Sequence, residues 1–417
     1  MRIQWCLLAL LVVPALGLAQ ETITFAEAAR RTLADRPELK TYAYRFEANA
    51  AQRDQAALRP GYTLGVDLEN ALGTGNASGI HAAELTVSLS RLWEMGGKRD
   101  ARITVAERNA ETLTAERDIV AADVVAETAR QFVALAAAQQ RVADAQEAVQ
   151  QARRSLDLTQ KRHAAAQAPQ TEVLGSRLLL GETELALENA HRATRSAQQL
   201  LGAQWGAPGS APVATLDVYA LPEPRPIEQL LAQLDDTPDL RRYASDTRLA
   251  EAELALARTQ ARADLTFSAG VRRLEELDDQ ALVFGFSMPL GTASRAQPAI
   301  RERTALLAQV DAERATTRLR LETLLRRQVL TLESARATEQ AIRERQLQPA
   351  GDLIEQTRRG FGIGRFPWRD LAQAERQLLD LKRQRLEAAS AYHLTRVEIE
   401  RLTGLMPVAG DQPESAP

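Results

Sequence analysis

The chain is poor in the residue types that most soluble enzymes rely on. Its 417 residues include one cysteine, Cys6, so neither an internal disulfide nor a cysteine metal site is available. Aromatic residues make up only 4% although hydrophobic residues reach 45%; the apolar share is mostly Ala, Leu and Val. Four histidines, His81, His163, His191 and His393, lie far apart, show no metal-ligand spacing and read as surface residues. The four methionines form no cluster that could pass a soft metal ion. Basic and acidic residues nearly cancel, at a net charge of −3, which leaves no footprint for nucleic acid. Past residue 20 there is no run of apolar residues long enough for a membrane-spanning helix. Gly96-Gly97 lacks the spacing of a phosphate loop. No catalytic, cofactor-binding or metal-ligating residues are therefore expected, and no enzyme.

What the chain does have is helix-forming sequence in bulk. Ala, Leu, Glu, Gln and Arg crowd nearly every segment. No Gly or Pro occurs from Arg99 to Ala168, enough for a helix of roughly 100 Å. Ile103, Ala106, Ala110, Leu113, Val120 and Val124 step by three and four along it, as in a coiled-coil seam. A second long helix is expected from Ala299 to Arg359, with a kink near Pro349 and Gly351. The first 19 residues read as a signal peptide: Arg2 supplies the charge, Trp5 to Leu18 the apolar run, and Gly17-Leu18-Ala19 the cleavage site.

The pattern occurs twice, about 200 residues apart. Arg36-Pro37-Glu38-Leu39 returns as Thr237-Pro238-Asp239-Leu240. Each copy runs helix, two short alternating segments, long helix, turn and shorter helix. The copies are placed at 20–206 and 227–405, joined by a Pro-rich linker at 207–226 and followed by a disordered tail at 406–417.

The alternating segments separate this chain from a plain coiled-coil rod. Tyr62, Leu64, Val66 and Leu68 alternate with polar or small residues. So do Leu85, Val87 and Leu89, then Leu265, Phe267, Ala269 and Val271, then Leu282, Phe284, Phe286 and Met288. Period two over four segments predicts strands with one apolar face. A half-buried soluble sheet remains an alternative at this point, but the strand length suits a membrane barrel. Leu64, Val66, Val87, Phe267, Phe284 and Phe286 are then the expected lipid-facing positions. Thr86 and Ser268 fall on the opposite, water-facing side, where an arginine is expected to be tolerated. Four strands cannot close a channel-sized barrel, so several chains would have to share one.

These residues resemble the outer-membrane efflux proteins, the TolC-like channels, over almost all of the chain after residue 19. Ser88 to Arg99, with Leu92-Trp93-Glu94-Met95-Gly96-Gly97-Lys98-Arg99, is similar to the strand exit of the cobalt–zinc–cadmium branch. Arg359-Gly360-Phe361-Gly362-Ile363-Gly364-Arg365-Phe366 is similar to the family's tip turn, and Leu402-Thr403-Gly404 to its closing motif. The resemblance implies a mainly α protein with a small β part: a long α-helical coiled-coil tunnel plus a transmembrane β-barrel shared by a homotrimer, four strands per protomer. It implies an outer-membrane location reaching into the periplasm, no cofactor, and three partners besides lipid: its own copies, a periplasmic adaptor (membrane fusion) protein and an inner-membrane pump of the resistance-nodulation-division type. The function implied is a passive exit duct, with heavy-metal cations the favoured cargo; drug efflux, type I protein secretion and a non-channel periplasmic scaffold are the alternatives.

Site residues follow residue by residue. Asp370 matches a pore-facing carboxylate of relatives, while Gln373 stands where a second acid often follows. Gln167, Pro169, Gly362, Gly364, Arg365, Phe366, Pro367 and Trp368 form the expected adaptor-contacting tip. The first tip turn, Arg162 to Pro169, lacks the family's glycine, so Pro169 is expected to make the reversal. Gly96-Gly97 reads as the hinge between barrel and tunnel.

Overall fold

The computed structural model describes residues 21–75 and 78–405; the expected signal peptide, Cys6 and the tail lie outside them. The regular elements of the described chain are helices apart from one four-stranded sheet and one two-residue pairing. It divides into two compact units. One comprises residues 21–31, 128–221 and 336–393, the other 32–127, 222–335 and 394–405. Each unit thus draws segments from both sequence copies.

In the second unit, helix α2 (Pro37–Ala57) leads into β2 (Tyr62–Glu69) and β3 (Glu84–Trp93). Helix α6 (Pro238–Thr259) leads into β5 (Leu265–Leu274) and β6 (Asp279–Ser287). Both helices carry proline at their first position, where its missing N–H is harmless. The Thr237 side chain caps α6 by accepting from the Leu240 N–H. All four strands pair antiparallel in the order β2-β3-β5-β6. The outer edges of β2 and β6 have no partner strand among the described residues. Along the helices of this unit, Arg401 joins Asp123 at 2.6 Å and Asp239 at 2.5 Å.

Helix α3 (Lys98–Ala164) runs 67 residues unbroken, as the absence of Gly and Pro predicts. Helix α7 (Thr292–Arg345) starts earlier than expected and tolerates Pro298 inside it. It stops at Arg345, and α8 (Leu347–Gly362) resumes after Gln346. Pro349 explains the break: it cannot donate to the Arg345 carbonyl, and its ring clashes there. The discontinuity therefore falls at Gln346, three residues before the proline and near it as expected.

In the first unit, α3, α4 (Gln170–Ala203), α8 and α9 (Trp368–Thr403) pack around small residues. A core of Phe132, Leu135, Leu201, Trp205 and Leu386 also takes in Ile23 and Val218. Ile23 belongs to β1 (Thr22–Ile23), paired parallel with β4 (Val213–Ala214) inside the Pro-rich linker. The linker is thus a packed element. His393 corrects the surface reading: it is 2% exposed. Its Nε2 lies 3.0 Å from the Val218 carbonyl, and its ring meets Tyr392 edge-on, so it ties α9 to the linker.

Candidate functional site

Three places concentrate the expected site residues. The first is the sheet. Its register places side chains in cross-strand rows: Tyr62, Arg91, Phe267 and Phe286; then Leu64, Leu89, Ala269 and Phe284; then Val66, Val87, Val271 and Leu282. Leu64, Val66, Val87, Phe267, Phe284 and Phe286 are all exposed and share this face. The Phe267 and Phe286 rings meet at a tilt, their centroids 5.6 Å apart. A protein in water would not present such a band unpartnered.

The opposite face is small and polar. A Cβ on Gly285 would come within 2.4 Å of Ser268 Oγ, and one on Gly270 within 2.6 Å of the Val87 carbonyl. The glycines leave room on this face for the Ser268 and Ser88 side chains of the neighbouring strands. Arg272 reaches along the same face. It donates to Thr86 Oγ1 at 2.9 Å, Glu84 at 2.6 Å and Glu69 at 2.9 Å. Thr86 is only 4% exposed. An arginine there would meet Arg272 directly, which corrects the expectation that Thr86 tolerates one.

The second place is the strand exit, and its motif acquires a physical reading. Gly96 and Gly97 both adopt positive φ, 78° and 75°, open to glycine at little cost. Asp264 accepts from the Met95 N–H at 2.9 Å and from Lys98 Nζ at 2.7 Å. Glu94 accepts both Arg102 Nη groups, at 2.5 and 3.0 Å. Arg99 Nε donates to the Ala57 carbonyl at 2.6 Å. The glycines turn the chain, and the charges clamp the start of α3 to the base of β5.

The third place comprises the two helix reversals of the first unit. They share one hydrogen-bond pattern. At the end of α3, the Gln167 N–H donates to the Arg162 carbonyl and the Ala166 N–H to the His163 carbonyl. At the end of α8, the Arg365 N–H donates to the Gly360 carbonyl and the Gly364 N–H to the Phe361 carbonyl. Both are Schellman closures, which need one residue in the left-handed region. Gly364 supplies it at φ 80°, Ala166 at φ 58°. Ala166, not Pro169, makes the first reversal; Pro169 serves as the N-cap of α4. Gly362 is not in the left-handed region.

Around these turns, Gln167, Pro169, Gly364, Arg365, Phe366 and Pro367 are exposed, and Gly362 and Trp368 half-buried. The aromatics lie on glycines. A Cβ on Gly360 would fall 2.2 Å from the Phe366 ring, and one on Gly175 2.5 Å from the Trp368 ring. Trp368 Nε1 is buried without an acceptor among the described residues. Arg162 lies 4.3 Å over the Phe361 ring. Asp370 and Gln373 are both exposed, one turn apart on α9.

One residue of this region was not singled out from the sequence. Glu375 is 3% exposed and accepts from Ser155 Oγ at 2.6 Å, with Arg358 Nη2 at 3.5 Å. Burial pushes its carboxyl above the usual range, against the opposing pull of Ser155 and Arg358. The available signal was its position: Leu371, Ala372, Ala374 and Leu378 are the buried face of α9, and Glu375 lies on it. Among the described residues, no three His, Cys, Asp or Glu side chains stand close enough to hold a metal ion, and no helix is long and apolar enough to cross a membrane.

No family model matches the chain. The cobalt-zinc-cadmium resistance protein CzcC of Cupriavidus metallidurans is 28% identical over 313 residues, 75% of each chain. Among solved structures, the outer-membrane channel OprN aligns with a TM-score of 0.72 at 17% identity, covering 91% of this chain and 89% of that one. CusC gives 0.72 at 15%, covering 94% and 95%. The outer membrane protein VceC of Vibrio cholerae gives 0.70 at 18%, covering 91% and 96%. The fold is that of these channels, and the resemblance read from the sequence stands.

Proposed function

We propose that this chain, sharing the fold of outer-membrane efflux channels, is one protomer of a homotrimeric duct that carries heavy-metal cations out of the cell. The observation that carries the reading is the open sheet. Four strands with an exposed apolar face, a crowded polar face and two free edges have no stable existence alone in water. Three copies joined edge to edge make a closed barrel that is apolar outside and polar inside. Leu64, Val66, Val87, Phe267, Phe284 and Phe286 then face lipid. A second unpartnered surface supports assembly: Leu174, Leu178 and Leu185 are exposed on one stripe of α4, where a neighbouring protomer would cover them.

The choice of cargo rests on the likeness to CzcC. A passive duct needs no metal site of its own, because selection falls to the pump that feeds it. Asp370 and Gln373 lie at the entrance. Three copies of Asp370 form an acidic ring that favours cations. The tip residues Gln167, Pro169, Gly362, Gly364, Arg365, Phe366, Pro367 and Trp368 are the surface offered to a periplasmic adaptor, which links the duct to an inner-membrane pump of the resistance-nodulation-division type. Deleting the gene should sensitise the cell to cobalt, zinc or cadmium. The protein should leave outer membranes only with detergent and crosslink as a trimer. Recovery as a soluble monomer would defeat the duct; a trimer whose loss changes tolerance of drugs but not of metals would defeat the cargo.

A further inference from the structure

Beside the strand exit lies a cavity of about 260 Å³, bounded by Arg59, Arg91, Trp93, Lys98, Arg99 and Asp100 among others. Its charges do not cancel. Glu94 is held by Arg102 and Lys98 by Asp264. Arg59, Arg91 and Arg99 have no carboxylate partner among the described residues: Arg91 donates to Tyr62 Oη at 3.0 Å, and Arg99 spends only its Nε on a backbone carbonyl. Asp100, exposed at the rim, is the one carboxylate left. The pocket keeps an excess of two positive charges.

Its position gives that excess a meaning. Arg91 belongs to the cross-strand row Tyr62, Arg91, Phe267 and Phe286, the last row of the exposed apolar face that all four strands share before the helices begin. Its guanidinium lies 4.7 Å over the Tyr62 ring. Trp93, 61% exposed, stands just beyond. Aromatic rings and a cation at the edge of an apolar band mark the level of lipid headgroups. The cavity therefore opens where acyl chains end and phosphates begin, with donors still free.

We propose that this pocket binds the phosphate of an anionic membrane phospholipid, whose chains lie along the apolar face of the sheet. The proposal rests on the membrane-barrel reading. Guanidinium groups pair with phosphate oxygens in bidentate fashion, and two unbalanced charges favour an anionic lipid over a zwitterionic one, whose own ammonium would be repelled.

The test uses the purified full-length trimer in mild detergent, titrated with phosphatidylglycerol, phosphatidylcholine or inorganic phosphate and read by native mass spectrometry. Phosphatidylglycerol should bind tightest, and the double variant Arg59→Gln, Arg99→Gln should bind it about thirty-fold more weakly. The exposed Arg154→Gln should bind it as the wild type does. Equal binding of the two lipids, or an unchanged double variant, overturns the pocket. Inorganic phosphate binding as well as the lipid makes it a free-anion site and overturns the lipid assignment. Membrane placement is read separately, from quenching of Trp93 fluorescence by brominated acyl chains with Trp205 and Trp368 changed to Phe. Quenching with unchanged lipid affinity overturns the pocket alone; absence of quenching removes the barrel reading and the pocket with it.

Discussion

The two helix reversals of the first unit solve one problem with different residues. Both close with the same pair of backbone bonds and a proline three residues after the left-handed position. Around that frame the bulk is exchanged. The second reversal sets a ring, Phe366, on a bare backbone, Gly360. The first has Arg162 where the second has Gly360, and Ala168 where it has Phe366. Volume is kept roughly constant while its source moves across the turn, the kind of exchange that cores accept most readily. The left-handed position itself is not balanced in this way: glycine holds it in one copy, alanine in the other.

The largest expected effect breaks the better turn. Gly364→Val puts a β-branched residue at φ 80°. The added carbon would find ordinary space, with Arg162 Nη2 at 3.5 Å, so the penalty is backbone strain, about 2 kcal/mol. Thermal unfolding of the detergent-solubilised trimer should reveal it. Metal resistance should fall while trimer levels stay normal; a variant with normal resistance would remove this turn from the adaptor surface. Next comes Gly175→Ala, which strikes a contact with no counterpart in the other copy, where the paired positions hold Gln170 and Gln373. Alanine gains about 1 kcal/mol in helix propensity, but its Cβ would sit 2.5 Å from the Trp368 ring, and overpacking costs about 1–3 kcal/mol. The net should be a loss of about 1 kcal/mol, with a red shift of Trp368 emission as the indole moves into water. A blue shift would show that the ring had found a drier seat. Ala166→Gly sharpens the comparison from the other side: it removes the alanine's strain at φ 58° and should stabilise by about 0.5–1 kcal/mol. Destabilisation would mean that unfolded-chain entropy outweighs the strain.

How much of this was visible beforehand follows from the range of each interaction. The strands and their faces were legible because period two is a local pattern, and the pairing register then aligns all six lipid-face candidates on one side. The unbroken α3 was legible from missing breakers. The break between α7 and α8 was legible from Pro349, and it falls at Gln346 because a proline disrupts the turn before it. Ala166 gave no signal, since alanine does not announce a left-handed turn. The β1–β4 pairing spans two residues per strand, too few for any periodicity. Thr86 and His393 were misread because their partners, Arg272 and the Val218 carbonyl, lie 186 and 175 residues away in sequence.

The smallest expected effect concerns Glu375, the sharpest asymmetry between the copies. Its counterpart, one repeat earlier, is Arg177, which is exposed. Ser155 and Arg358, the groups facing Glu375 from α3 and α8, correspond to Leu353 and Gln160, both exposed. At this position only the second copy therefore buries a carboxyl. Burial raises its pKa in the fold above the unfolded value of about 4.3. The sign follows from linkage. Below the unfolded pKa the acid is neutral in both states and costs nothing. As pH rises through the folded pKa, the native protein must ionise a buried group, and stability is lost. Glu375→Gln keeps an acceptor for Ser155 and cannot ionise. It should match the wild type below about pH 4 and exceed it modestly at pH 7, by thermal unfolding of the trimer at each pH. If the variant is instead weaker at pH 7, the attraction of Arg358 outweighs burial, and Glu375 is held as an ion.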